Sequence, residues 1–81
     1  MTTRRYDLTL SRDGQWVAET TTEVDLDDRP AVYRVMAAMI GQADGWVHPE
    51  RIRRDYALTI YRAGSPYPKC TWVPTEADQD A

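Results

Sequence analysis

The sequence predicts an α+β fold of order ββαβ: a three-stranded, mainly antiparallel sheet in the order 2-1-3, with one helix packed on one face. Three observations predict it. Residues 4–11 and 15–26 alternate apolar with polar, the period of half-buried strands. Residues 32–40 change to helical spacing. Residues 52–61 return to alternation and stop at Gly64, Ser65, Pro66 and Pro68.

In the first strand Tyr6, Leu8 and Leu10 share one face, with Asp7, Thr9 and Ser11 on the other. The second offers Trp16, Ala18, Thr20, Thr22, Val24 and Leu26 against Val17, Glu19, Thr21, Glu23 and Asp25. Asp13-Gly14 suits a two-residue hairpin turn. A simple two-residue turn, however, sets Trp16 on the face opposite Leu8 and Leu10. A three-residue loop, Arg12-Asp13-Gly14, places Leu10 opposite Trp16 and Leu8 opposite Ala18 and keeps one face apolar. It requires Gly14 in the left-handed region, which glycine adopts without steric cost.

Asp27 and Asp28 supply an N-cap and favour the positive end of a helix, and Pro30 fits its first turn. Val32, Val35, Met36, Met39 and Ile40 form its apolar stripe, and it should end between Gly41 and Gly45. The third strand presents Ile52, Tyr56, Leu58 and Ile60 inward and Arg53, Asp55, Ala57, Thr59 and Tyr61 outward. A right-handed crossover beside the first strand gives the order 2-1-3 and leaves two open sheet edges. The expected core is Tyr6, Leu8, Leu10, Trp16, Ala18, Val32, Val35, Met36, Met39, Ile40, Tyr56, Leu58 and Ile60.

Residues 1–74 are expected as one compact domain with an aromatic C-terminal extension from residue 64, and residues 75–81 as a flexible acidic tail. At 81 residues there is room for one thin core. The net charge of −3 resides in Glu76, Asp78 and Asp80, since the rest carries ten bases and ten acids. A neutral body with an acidic end is not the electrostatic footprint of a nucleic-acid binder. One cysteine, Cys70, rules out an internal disulfide framework. No apolar run has the length of a membrane span, and none near the start resembles a signal peptide. The expected compartment is the cytoplasm. Nine Arg against one Lys, with no Asn and no Phe, reflect GC-rich codons of the kind found in actinobacteria and their phages.

The parts of a catalytic site are not in view. His48 is the one histidine and lacks a nearby nucleophile and an orienting group. His48, Cys70 and scattered acids do not have metal-ligand spacing. No glycine-rich phosphate loop or nucleophile elbow is present. No cofactor or small-molecule substrate is expected, and the chain is read as non-enzymatic.

Binding surfaces remain. Arg51, Arg53 and Arg54 form a basic cluster, and Arg53 and Tyr61 share the outward sheet face with Val17 and Arg5. Aromatic and basic groups together could hold single-stranded nucleic acid, unless Asp7, Glu19 and Asp55 cancel the arginines. The helix back carries Ala31, Arg34, Ala37, Ala38 and Gly41, too few polar groups for an ordinary solvent face. It should be covered, either by the tail through Tyr67 and Trp72 or by a second copy of the chain. The segment D-G-Q-W-V-A-E, residues 13–19, resembles the first hairpin of HicB-like antitoxins. That family has a third strand before its helix, where this chain turns helical straight after Asp28. The resemblance implies an antitoxin-like regulator as the alternative function. The leading expectation is a protein partner or self-association, with nucleic acid second and no membrane contact. The candidate interaction residues are Arg53, Tyr61, Val17, Arg34, Ala38, Tyr67 and Trp72.

Overall fold

A computed structural model describes residues 3–80. Strands β1 (Arg4–Arg12) and β2 (Gln15–Val24) form a hairpin, followed by helices α1 (Arg29–Asp44) and α2 (Pro49–Asp55). Strands β3 (Tyr56–Arg62) and β4 (Pro68–Trp72) form a second hairpin, and helix α3 (Glu76–Asp80) ends the described chain. The sheet has four strands in the order β2-β1-β3-β4, every pair antiparallel. The expected α+β class and the 2-1-3 order hold. The fourth strand and two further helices are additions to the expected three strands and one helix.

The core forms between one sheet face and the helices. Tyr6, Leu8, Leu10, Leu58 and Ile60 meet Val32, Met36, Met39 and Ile40 of α1. Ile52 joins from α2, not from an extended strand as expected; Val24 and Trp72 also enter the core. Val35 and Ala18 are only partly buried against it.

Trp16 corrects the expected core, because it is 63% exposed. The hairpin uses the two-residue turn: Arg12 lies opposite Gln15 and Ser11 opposite Trp16. Asp13 (φ 52°) and Gly14 (φ 78°) both occupy the left-handed region, so Gly14 sits as expected. The register then shifts between Leu10 and Ser11, and Leu10 pairs with Ala18 instead of Trp16. Val17 is the extra residue of this bulge. The bulge carries Trp16 to the outward face while returning Ala18, Thr20, Thr22 and Val24 to the core face.

Helix α1 starts as its sequence dictates. The Asp28 carboxylate accepts from the Ala31 N–H at 3.2 Å, and Pro30 occupies the first turn. Its end is closed at Gly45 (φ 73°), whose N–H donates to the Gly41 carbonyl. His48 caps α2, its Nδ1 accepting from the Glu50 N–H at 3.1 Å.

Residues 76–80, expected within a flexible acidic tail, form α3 against α1. Asp78 is 5% exposed. Its carboxylate accepts from the Nε and Nη2 of Arg29 at 3.0–3.2 Å and from the Thr75 N–H at 2.7 Å. The Arg29 guanidinium also lies 4.6 Å from the centre of the Trp72 ring, a cation–π arrangement. These donors, Arg29 first, hold the Asp78 carboxyl below the usual carboxylate range.

Candidate interaction surfaces

Opposite residues in an antiparallel pair share a face, so the register defines the outward surface of the sheet. Its rows are Trp16–Ser11–Ala57, Glu19–Thr9–Thr59–Thr71 and Thr21–Asp7–Tyr61, with Glu23 beside Arg5 at one end. The core lies on the other face. β-branched threonines make up its middle row, and exposed Trp16 lies in the row at one end. Tyr61 sits half-buried in the third row, bordering Asp7, Thr9, Thr21 and Ser65. Asp7 accepts from the Thr21 hydroxyl at 2.6 Å and from the Gly64 N–H at 3.3 Å, which ties the β3–β4 turn to the sheet. Those two bonds, with the nearby Arg5 charge, lower the Asp7 pKa.

Arg53 is not part of this surface. It belongs to α2, and its guanidinium donates to the Gln79 side chain of α3. The rest of the basic cluster is paired: Arg54 donates to Asp55 at 2.9 Å and Arg51 to the same carboxylate at 3.4 Å. Both guanidinia lower the Asp55 pKa, Arg54 more. The outward face therefore holds Arg5 with Asp7, Glu19 and Glu23, and its field is not basic. Val17, expected outward, packs partly against the core through the bulge.

The tail divides its aromatics. Trp72 is 6% exposed beneath Arg29, while Tyr67 is 78% exposed in the β3–β4 turn. Gln79 donates to the Tyr33 hydroxyl at 3.3 Å and to the Pro49 carbonyl at 2.8 Å, so α3 covers the start of α1 and its junction with α2. The cover does not reach Ala38 or Gly41, which stay exposed. Arg34 and Ala38 instead border a shallow groove of about 600 Å³ along the free edge of β2.

A third cluster joins the end of α1 to the sheet. The Tyr56 hydroxyl donates to Asp44 at 2.6 Å, and Arg12 pairs with the same carboxylate. Tyr56 is pushed above its ordinary pKa by burial and by Asp44, while Asp44 is lowered by Tyr56 and then Arg12. The Asp13 N–H donates to the Asp55 carbonyl at 2.8 Å, pinning the β1–β2 turn to α2. This arrangement reads as a fastening of turn, helix and strand.

His48 lies edge-on to Trp46, ring centres 6.0 Å apart, with its Nδ1 used by the cap. Among the described residues, no three His, Cys, Asp or Glu gather where they could hold a metal ion. Among the same residues, no helix is long and apolar enough to cross a membrane. Sequence reasoning missed the exposed Trp16 and Trp46 and the Arg29–Asp78 pair. Asp13-Gly14 signalled the first, and Thr75-x-x-Asp78, close to a capping-box spacing, signalled the last. The chain matches no protein-family model, no curated protein and no solved structure.

Proposed function

We propose that the chain is a small non-enzymatic, cytoplasmic binding module that acts through protein–protein contacts on the outward sheet face, as an accessory protein of an actinobacterium or its phage. The carrying observation is that face: four strands wide, on the side away from the core, with Trp16 prominently exposed. Trp and Tyr are frequent binding hot spots because a large rigid ring buries much area at small entropic cost. Trp16 and Tyr61 supply two such rings, and short threonines between them permit close approach. Asp7, Glu19 and Glu23 outnumber Arg5, so the complementary partner has a basic rim. The source is proposed from the amino-acid composition, nine Arg against one Lys with no Asn and no Phe.

Nucleic-acid binding, the alternative, draws no support from Arg53, which is engaged by α3. The short antitoxin resemblance covers the hairpin only, and α1 follows β2 without an intervening strand. The test is capture from host lysate with and without nuclease, comparing the parent with a Trp16→Glu, Tyr61→Glu variant. A specific protein retained by the parent, lost by the variant and indifferent to nuclease is the expected result. Recovery of nucleic acid alone, or equal capture by both chains, would overturn the proposal.

A further inference from the structure

We infer that α1 and α2 form a receptor site for a short acidic turn, and that residues 75–80 of this chain occupy it as a strap that opens while the rest of the fold stays intact. The site lies on the helical side of the sheet, away from the outward face, and the inference does not rest on the binding role above.

The strap is held through polar contacts. Among the described residues, Asp78 is the one charged side chain that is buried. Its two oxygens accept from Nε and Nη2 of Arg29, a fork that fixes orientation as well as charge. The same guanidinium donates to the Val73 carbonyl at 2.9 Å. The next side chain, Gln79, has both halves of its amide engaged. The oxygen accepts from Arg53, and the nitrogen donates to the Tyr33 hydroxyl and the Pro49 carbonyl. Arg29 and Tyr33 belong to α1, Pro49 and Arg53 to α2. Residues 75–80 add no side chain to the apolar core. A segment fixed by orienting hydrogen bonds, with no apolar side chain in the core, is docked on the fold as a peptide ligand is. The ligand chemistry follows: a carboxylate with a side-chain amide beside it, on one helical turn. A bare polyanion lacks the amide N–H groups that the Tyr33 hydroxyl and the Pro49 carbonyl accept.

Opening has a physical basis. Segments with few buried apolar contacts part from the core locally, at lower free energy than global unfolding. A helix of five residues is far below the length that holds in water by itself, so α3 exists only while docked. Trp72 precedes the strap. Its ring centre lies 4.6 Å from the Arg29 guanidinium, and its indole N–H is buried without a hydrogen-bond partner. An unpaired buried donor penalises the closed form. Release of Asp78 lets Arg29 swing off the ring and water reach that N–H. The open form then presents Arg29 and Arg53 beside Trp72 and Tyr33, and the closed form does not. The strap is therefore an autoinhibitory contact.

The test begins with hydrogen exchange in the unaltered chain. The Asp78 and Gln79 amides donate to the Thr75 carbonyl. They and the Trp72 indole N–H should exchange about tenfold or more faster than the Leu8 and Leu58 amides, with a shallower urea dependence. Equal rates and slopes would mean that the strap parts only with the whole fold, and would overturn the inference. The second arm adds a free peptide of residues 73–80 to an Asp78→Asn, Gln79→Ala variant. The variant should keep a cooperative melt and exchange its Trp72 indole N–H faster than the parent. A tethered segment acts at an effective concentration on the order of 1 mM, so a strap closed about 100 to 1 corresponds to a peptide Kd of about 10 µM. The peptide at about 1 mM should slow that indole exchange about tenfold or more. The same peptide carrying Asp78→Asn should not slow it, and the parent, its site filled, should respond to neither. Loss of the cooperative melt, no response of the variant, or an equal response to both peptides overturns the inference.

Discussion

At the scale of single residues, Val17 decides more than its size suggests. Counting alternation from Trp16 gives an unbroken strand, and an unbroken strand demands a three-residue loop. One extra residue removes that demand: the turn shortens to Asp13-Gly14, and the side chains beyond it keep their inward positions. Alternation shows that one face must be apolar, but it cannot show where a residue is skipped. That is why Leu8 and Leu10 were legible as core and Trp16 was misplaced. Gly14 is needed in either geometry. No atom lies within 4 Å of where its Cβ would be, so a side chain there meets strain of the backbone alone. Gly14→Val should cost about 1 kcal/mol or more, read as a lower denaturant midpoint with unchanged slope. Leu8 is fully buried, and Leu8→Ala should cost about 2–5 kcal/mol through lost burial and a cavity. A midpoint equal to the parent's would place Leu8 outside the cooperative core.

Among the elements, α1 and β3 follow from periodicity because each buries a long stripe. β4 and α3 do not, because each has five residues and too little pattern to read. Pro66 and Pro68 read as an ending, whereas Pro68 stands at the head of an edge strand, where a missing donor costs nothing. α3 has no apolar stripe. A buried carboxylate holds it, through Arg29 on α1 and the Thr75 backbone. This predicts a pH dependence with a definite sign. The folded Asp78 pKa is lowered, so its stabilisation is complete above the unfolded value of about 3.9 and is lost as pH falls through the folded value. Asp78→Asn should melt below the parent at neutral pH. The gap should stay constant down to about pH 5 and narrow below it as the parent's carboxyl protonates. A gap that widens on acidification would show that Asp78 does not anchor α3 as an anion.

On the scale of the whole molecule, pairing decides what the charges do. Arg12, Arg29, Arg51 and Arg54 each face a carboxylate within the fold, and Arg53 is held by Gln79. The sequence shows equal numbers of bases and acids outside residues 75–81, but not which arginines are already occupied. The three-dimensional arrangement leaves one arginine among three acids on the outward sheet face. A polyanion binds by releasing counterions as cations neutralise its phosphates, and each contact steepens the salt dependence. At the end of the sheet Arg4 and Lys69 border one depression, but Asp25 and Asp27 line it too, so neither a polyanion nor a mimic of one should be held. The protein should therefore pass through a heparin column at about 50 mM salt without delay. Retention that disappears between about 50 and 200 mM would reveal several phosphate-like contacts and favour the nucleic-acid alternative. A Lys69→Glu, Arg5→Glu variant would then locate them. Loss of retention would assign the polyanion to the one end of the sheet that Arg5 and Lys69 share. Unchanged retention would move it to the helices and force the Asp55 pairings to be reconsidered.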